Sequence, residues 1–266
     1  MQWYSDSLNY ENLQHLRDEW GINVFRLAMY TEENGYIYDK SIKDKVYELT
    51  DCLIDLDMYI IIDWHILSDG DPMKHVNESK EFFEEYSLKY AKIPNIIYEI
   101  CNEPNGVTWK DSIKPYANTV IPIIRKNSPD SLIIVGTPSW SSQLDDIISS
   151  PLEFDNILYA FHFYAASHKT EYRRRIEEAL NNNLCIIISE WGTTNLTGNG
   201  GISLDSATEW LNFLEKNNIS WINWSFSNKE EDSAILLPVN ITTPTDIDSN
   251  LTESGNFIKS VISTKK

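Results

Sequence analysis

The chain has 266 residues, 22 Lys and Arg against 40 Asp and Glu, a net charge of −18 at pH 7, and 42% hydrophobic and 23% charged residues. These values suit one large α/β domain with a sizeable core, spanning residues 1–266, and an acidic, soluble surface that would repel nucleic acid. No window approaches the length of a membrane span, and the N-terminus lacks the basic-then-apolar layout of a signal peptide.

Strand-like runs and amphipathic segments alternate along the whole chain. Ser5–Trp20 reads as a helix and Ile22–Met29 as the first strand. Helix Ser41–Leu56 and strand Tyr59–Trp64 come next, then helix Ser79–Ala91 and strand Asn95–Cys101. Helix Lys110–Lys126 precedes strands Leu132–Gly136 and Ile157–His162. Helix Thr170–Asn181, strand Leu184–Ser189, helix Ser203–Asn217 and strand Ser220–Ser225 follow, and helix Glu253–Ser263 closes the chain. Continuous apolar runs such as Ile96-Ile-Tyr and Ile186-Ile-Ile are those of strands buried on both faces, and their alternation with helices predicts a parallel sheet. A (β/α)8 TIM barrel needs one strand more than these seven. The missing strand belongs before Ser5–Trp20, where only Met1–Tyr4 is available, so the expected fold is a barrel lacking or truncated in its first strand.

Cys52, Cys101 and Cys185 show no Cys-x-x-Cys spacing and read as small buried hydrophobes. The five Asn-x-Ser/Thr sequons at Asn77, Asn195, Asn218, Asn240 and Asn250 are what an Asn-rich chain yields by chance. The two most informative stretches are Asn102-Glu-Pro and Ser189-Glu-Trp-Gly. Each puts a glutamate just past a buried strand, at the barrel end where active sites are built. Two such carboxylates, Glu103 and Glu190, suggest a general acid/base paired with a nucleophile.

The chain resembles glycoside hydrolase family 5, most closely its bacterial endoglucanases (cellulases). The likeness rests on Gly21-Ile-Asn-Val-Phe-Arg-Leu-Ala-Met-Tyr, Ile61-Ile-Asp-Trp-His, Ile97-Tyr-Glu-Ile-Cys-Asn-Glu-Pro, Phe161-His-Phe-Tyr-Ala, Ile188-Ser-Glu-Trp-Gly and Trp221-Ile-Asn-Trp-Ser, in that order. The resemblance implies an endo-acting, retaining β-1,4-glucanase with Glu103 as acid/base and Glu190 as nucleophile. Asn102 would then bond the sugar 2-OH, Arg26 and Tyr164 would hold Glu190, and His162 would face Glu103. His65 would contact hydroxyls of the reacting sugar, and Trp224 would lie beneath it. Trp3, Tyr4, Tyr30 and Trp140 would stack on sugar rings further out, with Leu196, Thr197, Lys229 and Glu231 contacting them from the loops. Ser141-Ser-Gln is one residue longer than the family pattern, which puts a contact from Gln143 in doubt.

The family's first strand carries a histidine that this chain lacks; only Met1-Gln-Trp-Tyr matches the stretch after it. An absent strand exposes the edges of its two neighbours, so a monomer is expected, with a dimer covering the gap as the alternative. Other readings are a different family 5 specificity (mannan, xylan or mixed-linkage glucan) and a non-catalytic glycan-binding protein with an incomplete barrel. No cofactor or metal is expected. No Gly-rich phosphate or dinucleotide loop follows a strand, and His65, His162 and Glu190 lack a ligand spacing such as His-x-x-x-His. An insoluble β-glucan substrate would require secretion, an inference from the substrate alone.

Overall fold

The computed structural model describes residues 7–264. Seven strands run parallel and pair in chain order: β1 (Val24–Tyr30), β2 (Tyr59–His65), β3 (Ile96–Glu99), β4 (Ile133–Val135), β5 (Ile157–Tyr164), β6 (Ile186–Gly192) and β7 (Trp221–Asn223). Helices Ile42–Asp55, Val76–Lys89, Lys114–Asn127, Thr170–Asn181 and Leu204–Lys216 return the chain between strands. The apolar runs divide by parity, as residues on a pleated strand must. On β2, Ile60, Ile62 and Trp64 pack outward with Val46, Leu49, Leu53, Phe82 and Phe83 of the helices. The intervening Ile61 points the other way and joins Ile97, Ile134, Ala160 and Ile187 in a separate cluster inside the barrel. Both faces are therefore dry, which explains the unbroken hydrophobic runs.

Most expected elements recur with shifted ends. Ser5–Trp20 resolves into helix Tyr10–His15, capped by the Asn9 side chain, and a wider helical turn Leu16–Trp20 that stops at Gly21 in the left-handed conformation. Helix Ser79–Ala91 begins earlier, at Val76. Strand Ser220–Ser225 shortens to Trp221–Asn223, because Ser225 turns to donate its N–H to the Ser233 carbonyl. β5 and β6 run further than expected, to Tyr164 and Gly192, so Glu190 lies within its strand rather than past it. Two short helices, Asp145–Ser149 and Pro244–Ser249, lack the apolar stripe that would announce them, although a Thr243–Asp246 capping box starts the second. Cys101 is buried and Cys52 half-buried, but Cys185 is exposed, since it precedes β6 at the rim; all three are free thiols.

Among the described residues the sheet ends at β1 and β7, which are not paired to each other. Phe25 on β1 and Phe226 beyond β7 meet edge to face across the seam, with ring centroids 6.1 Å apart. A cavity of about 1400 Å³ opens there, lined by Trp20, Val24, Ile222 and Ile258 among others. The architecture is a (β/α)8 TIM barrel in which the described residues supply seven strands.

Candidate active site

The strand alternation that builds the interior also builds the site. The lowest inward layer is apolar: Val24, Ile61, Ile97, Ile134, Ala160, Ile187 and Ile222. Two residues further along, the same direction is held by Arg26, Asp63, Glu99, His162 and Ser189 and, just past the end of β7, by Trp224. Another two residues on stand His65 and Tyr164, at the C-terminal mouth. Strict alternation would turn Glu190 outward, since Ser189 before it already points in. A β-bulge prevents this: Ala160 pairs with Ile187, but His162 pairs with Glu190, leaving one extra residue on β6. The same shift recurs against β7, where Ile188 pairs with Trp221 and Trp191 with Asn223. Bulges commonly re-aim a side chain beside an active site, and this one directs two consecutive polar residues inward.

Two glycines admit close approaches that any Cβ would block. A Cβ on Gly136 would fall 2.4 Å from the Cys101 carbonyl oxygen and 2.8 Å from Pro104 Cδ, so only glycine lets the Asn102–Pro104 segment settle over β4. A Cβ on Gly192 would fall 2.7 Å from Cδ1 and Cε1 of Tyr164, the ring that reaches Glu190.

Arg26, almost fully buried, is the hub. Its Nε donates to Glu99 Oε2 at 2.6 Å, its Nη1 to Glu190 Oε2 at 3.1 Å, and its Nη2 to Asn102 Oδ1 at 2.7 Å. Asp63 Oδ2 lies 2.9 Å from the same Nη2. The Tyr164 hydroxyl donates to Glu190 Oε1 at 2.9 Å. Glu103 Oε1 is 2.9 Å from His162 Nδ1, whose Nε2 is 2.9 Å from Ser189 Oγ, and Ser189 donates in turn to Glu99 Oε1 at 2.6 Å. His65 Nδ1 bonds Asp63 Oδ2 at 2.6 Å, while its Nε2 faces Asn102 Nδ2 at 3.4 Å. The indole of Trp224 stacks on the His65 ring, with centroids 5.3 Å apart and planes at 6°, and Tyr30 packs on His65 at 4.2 Å.

Among the described residues four buried carboxyls surround one buried guanidinium, so their environments separate them. Burial pushes Glu103 up to about 8; Arg26 offsets only part of this, and Asp63 and Glu99 add to the rise. Burial and the Glu103 charge also raise Glu190, but Arg26 and Tyr164 both donate to it and stabilise its carboxylate. Of the pair, Glu103 therefore holds its proton longer. Burial raises Asp63 to about 7 against the pull of Arg26. Burial lowers His65 to about 3 and His162 to about 4, so both rings are neutral near pH 7. For Arg26 itself, burial alone would lower the pKa, but Asp63, Glu99 and Glu190 outweigh it and keep the guanidinium charged.

The structure thus brings together Arg26, His65, Asn102, Glu103, His162, Tyr164, Glu190 and Trp224, with Tyr30 beside them. Trp140 projects from a left-handed turn at Ser139–Ser141 and is 55% exposed. Gln143 accepts a hydrogen bond from Ser139 in the same turn. Leu196 is 64% exposed, and its N–H is already committed to Ser167 Oγ. Thr197 bonds Asn195 within its own loop. Lys229 pairs with Glu231, which also accepts from Ser233. Trp3 and Tyr4 lie outside the described residues. Asp63, Glu99 and Ser189 were not anticipated as site residues; the signal was there, a polar residue at an inward position of an otherwise apolar strand. One ligand atom each of Glu103, His162 and Glu190 lie within 4.8 Å of one another, a donor set that geometry alone would allow to hold a metal ion. Among the described residues no helix is long and apolar enough to cross a membrane.

Residues 1–230 match the sequence profile of cellulase (glycosyl hydrolase family 5). The chain is 48% identical to endoglucanase A of Evansella cellulosilytica, covering 98% of this chain and 54% of that protein. It is 47% identical to an endoglucanase of Clostridium saccharobutylicum, covering 98% of this chain and 59% of that one. The chain thus spans little more than half the length of these relatives. Among solved structures, the catalytic domain of Thermobifida fusca endoglucanase Cel5A superposes with a TM-score of 0.93 at 36% identity, covering 98% of this chain and 88% of that domain.

Proposed function

Because the chain belongs to glycosyl hydrolase family 5, we propose that it is an endo-acting, retaining β-1,4-glucanase that hydrolyses cellulose-type β-glucans by double displacement. The observation that carries this reading is the pair of inward carboxyls with oxygens no more than 4.8 Å apart. Retaining glycosidases hold their carboxyls about 5–5.5 Å apart, whereas inverting ones leave about 6.5–9.5 Å for an intervening water. In the first step Glu103 gives its proton to the glycosidic oxygen as that bond breaks, and Glu190 forms an ester-like bond to the anomeric carbon. In the second, Glu103, now a carboxylate, takes a proton from water, whose oxygen displaces Glu190 and releases the β-anomer.

The side chains around the pair support those roles. Arg26 and Tyr164 donate to Glu190, which favours an ionised nucleophile. Among the described residues no lysine or arginine contacts Glu103, and burial pushes it up to about 8, which favours a protonated acid at neutral pH. Asn102 is fixed by Arg26 and by the Ile66 carbonyl, placing its amide for the sugar 2-OH. The stacked His65 and Trp224 rings offer a floor for the reacting sugar, and exposed Trp140 a platform further along. Tyr30, Lys229, Glu231, Leu196 and Thr197 are assigned to outer sugar contacts. We assign residues 1–266 to one catalytic domain that acts as a monomer outside the cell, since a polymeric glucan does not enter it.

The test is digestion of a soluble cello-oligosaccharide, following the anomer of the early product by proton NMR, with Glu190→Gln as control. Early β-anomer that the control lacks is expected. An early α-anomer would refute retention. Absence of product from a folded chain would favour a non-catalytic glycan-binding protein, and mannan turnover far above glucan turnover would move the specificity.

A further inference from the structure

The reading above leaves Ser189 and Glu99 without a task, yet both are fully buried and joined to the acid/base by an unbroken hydrogen-bond chain. The direction of that chain can be deduced. Glu99 accepts Arg26 Nε–H on Oε2 at 2.6 Å, and its other oxygen accepts the Ser189 hydroxyl, also at 2.6 Å. A hydroxyl has one proton, so Ser189 cannot also donate to His162 and must accept from it. The Nε2 atom of His162, 2.9 Å away, therefore carries the ring proton. A neutral imidazole has only one N–H, which leaves Nδ1 bare. Nδ1 lies 2.9 Å from Glu103 Oε1, and a bare nitrogen at that distance needs a donor.

We infer that Glu99 and Ser189 are positioning residues that fix the His162 tautomer and thereby require the resting proton to sit on Glu103, presetting it as the acid. This rests on the roles assigned above to Glu103 and Glu190. When Glu103 gives its proton to the leaving oxygen, the electron pair of its O–H bond stays on the carboxylate. That carboxylate then faces the lone pair of Nδ1, two acceptors with no proton between them. The repulsion makes Glu103 a stronger base, and it is relieved when Glu103 takes a proton from the attacking water. His162 exchanges no proton in either step; its Nε2–H remains on Ser189.

Among the described residues, the titratable groups facing Glu103 from the surrounding elements are Arg26 on β1, Asp63 on β2, Glu99 on β3, His162 and Tyr164 on β5, and Glu190 on β6. Of these, His162 bonds its carboxyl directly, so the tautomer is the local control and the others act at longer range.

Two measurements test this. The first needs no activity: nitrogen-15 NMR of histidine-labelled wild-type protein near pH 6, with His162 assigned by its loss in His162→Asn. The neutral ring protonated at Nε2 is expected, and a ring protonated at Nδ1, or at both nitrogens, would overturn the inference. The second is the pH dependence of kcat/KM for a cello-oligosaccharide in wild type and Ser189→Ala. Without its acceptor, His162 can adopt the Nδ1–H form and donate to the Glu103 carboxylate, lowering the Glu103 pKa. The alkaline limb should then move down by roughly one unit or more. An aryl cellobioside whose phenol leaves without protonation should lose far less activity in the same variant. An unmoved limb in a folded Ser189→Ala protein would overturn the inference. If that variant fails to fold, the wild-type tautomer decides. If wild type hydrolyses nothing, the proposed function fails, while the NMR result still decides the tautomer.

Discussion

Tyr164→Phe isolates one donor of the site with little disturbance elsewhere. The tyrosine hydroxyl donates to Glu190 Oε1 at 2.9 Å, and Arg26 Nη1 donates to the same carboxylate at 3.1 Å. Phenylalanine keeps the ring, which lies against Gly192 in space that a Cβ there would occupy. A hydrogen bond from a neutral donor to a charged group contributes about 1.5–3 kcal/mol, and 1.36 kcal/mol corresponds to one pKa unit or tenfold in rate. The lost bond favoured the ionised form, so the Glu190 pKa should rise by roughly one to two units. Burial and the neighbouring Glu103 already raise it, which leaves little margin. The acid limb of kcat/KM should move to higher pH by that amount, and the rate on the acid side should fall by about tenfold to a hundredfold. The assay is hydrolysis of a soluble cello-oligosaccharide from pH 4 to 9, with thermal melting to show that the fold is intact. An unshifted limb and an unchanged rate in a variant that melts like wild type would refute the reasoning. Gly192→Ala, which drives a Cβ into the same ring, should reproduce the shift, and the double variant should add little to either.

Glu103→Gln should cut turnover roughly a hundredfold to ten-thousandfold on a cello-oligosaccharide, the usual contribution of a positioned acid/base, and Glu190→Gln by orders of magnitude; near-wild-type rates in either would remove the assignment. Glu103→Gln should also change how stability depends on pH. A carboxyl held at about 8 in the folded protein, against 4.5 for its ordinary value, binds its proton more tightly when folded. Its stabilising effect is therefore complete below pH 4.5 and is lost as pH rises toward 8, so the glutamine variant should melt higher than wild type at pH 8 and nearly with it at pH 4. Equal differences at the two pH values would contradict the buried, high-pKa carboxyl. Trp140→Ala should raise KM while changing folding stability by no more than about 0.5 kcal/mol, since the side chain is 55% exposed; a large loss of kcat alone would argue against a platform role. In hydrogen exchange, amides of β1 and β7 should open sooner than those of β2–β6, because among the described residues neither has a strand on its outer side; uniform protection would mean that the seam is covered.

Much of this was legible before the structure. The two-face burial of parallel strands leaves unbroken apolar runs, and these located all seven strands to within a few residues. Glu103 and Glu190 stood out because a carboxylate at the end of such a run has no packing reason to be there. The bulge did not stand out: Ile186-Ile-Ile-Ser-Glu-Trp carries no glycine or proline to mark it, and it follows from how β6 aligns with β5 and β7 together. Asp63 and Glu99 were hidden differently. Each is one polar residue in a hydrophobic run, and its meaning depends on Arg26 arriving from another strand. Cys185 reads as a core residue by type but is exposed, one residue before β6 begins.

The order of layers explains why the network stands where it does. An ionised carboxylate inside a protein costs several kcal/mol unless it is paired, so four carboxyls and one guanidinium would destabilise an apolar interior. Here the apolar layer from Val24 to Ile222 fills the barrel below, and the charged layer begins only one inward step above it. That step is short enough for Arg26 to reach three carboxylates at once, yet the site opens at the mouth, where substrate would complete the remaining contacts. The guanidinium does not touch Glu103, and this asymmetry follows from chain geometry. Glu99 lies on β3 within reach of Nε, whereas Glu103 lies four residues later, beyond the strand, against His162. One cation placed off-centre is enough to favour the carboxylate form at Glu190 over Glu103, although burial raises both.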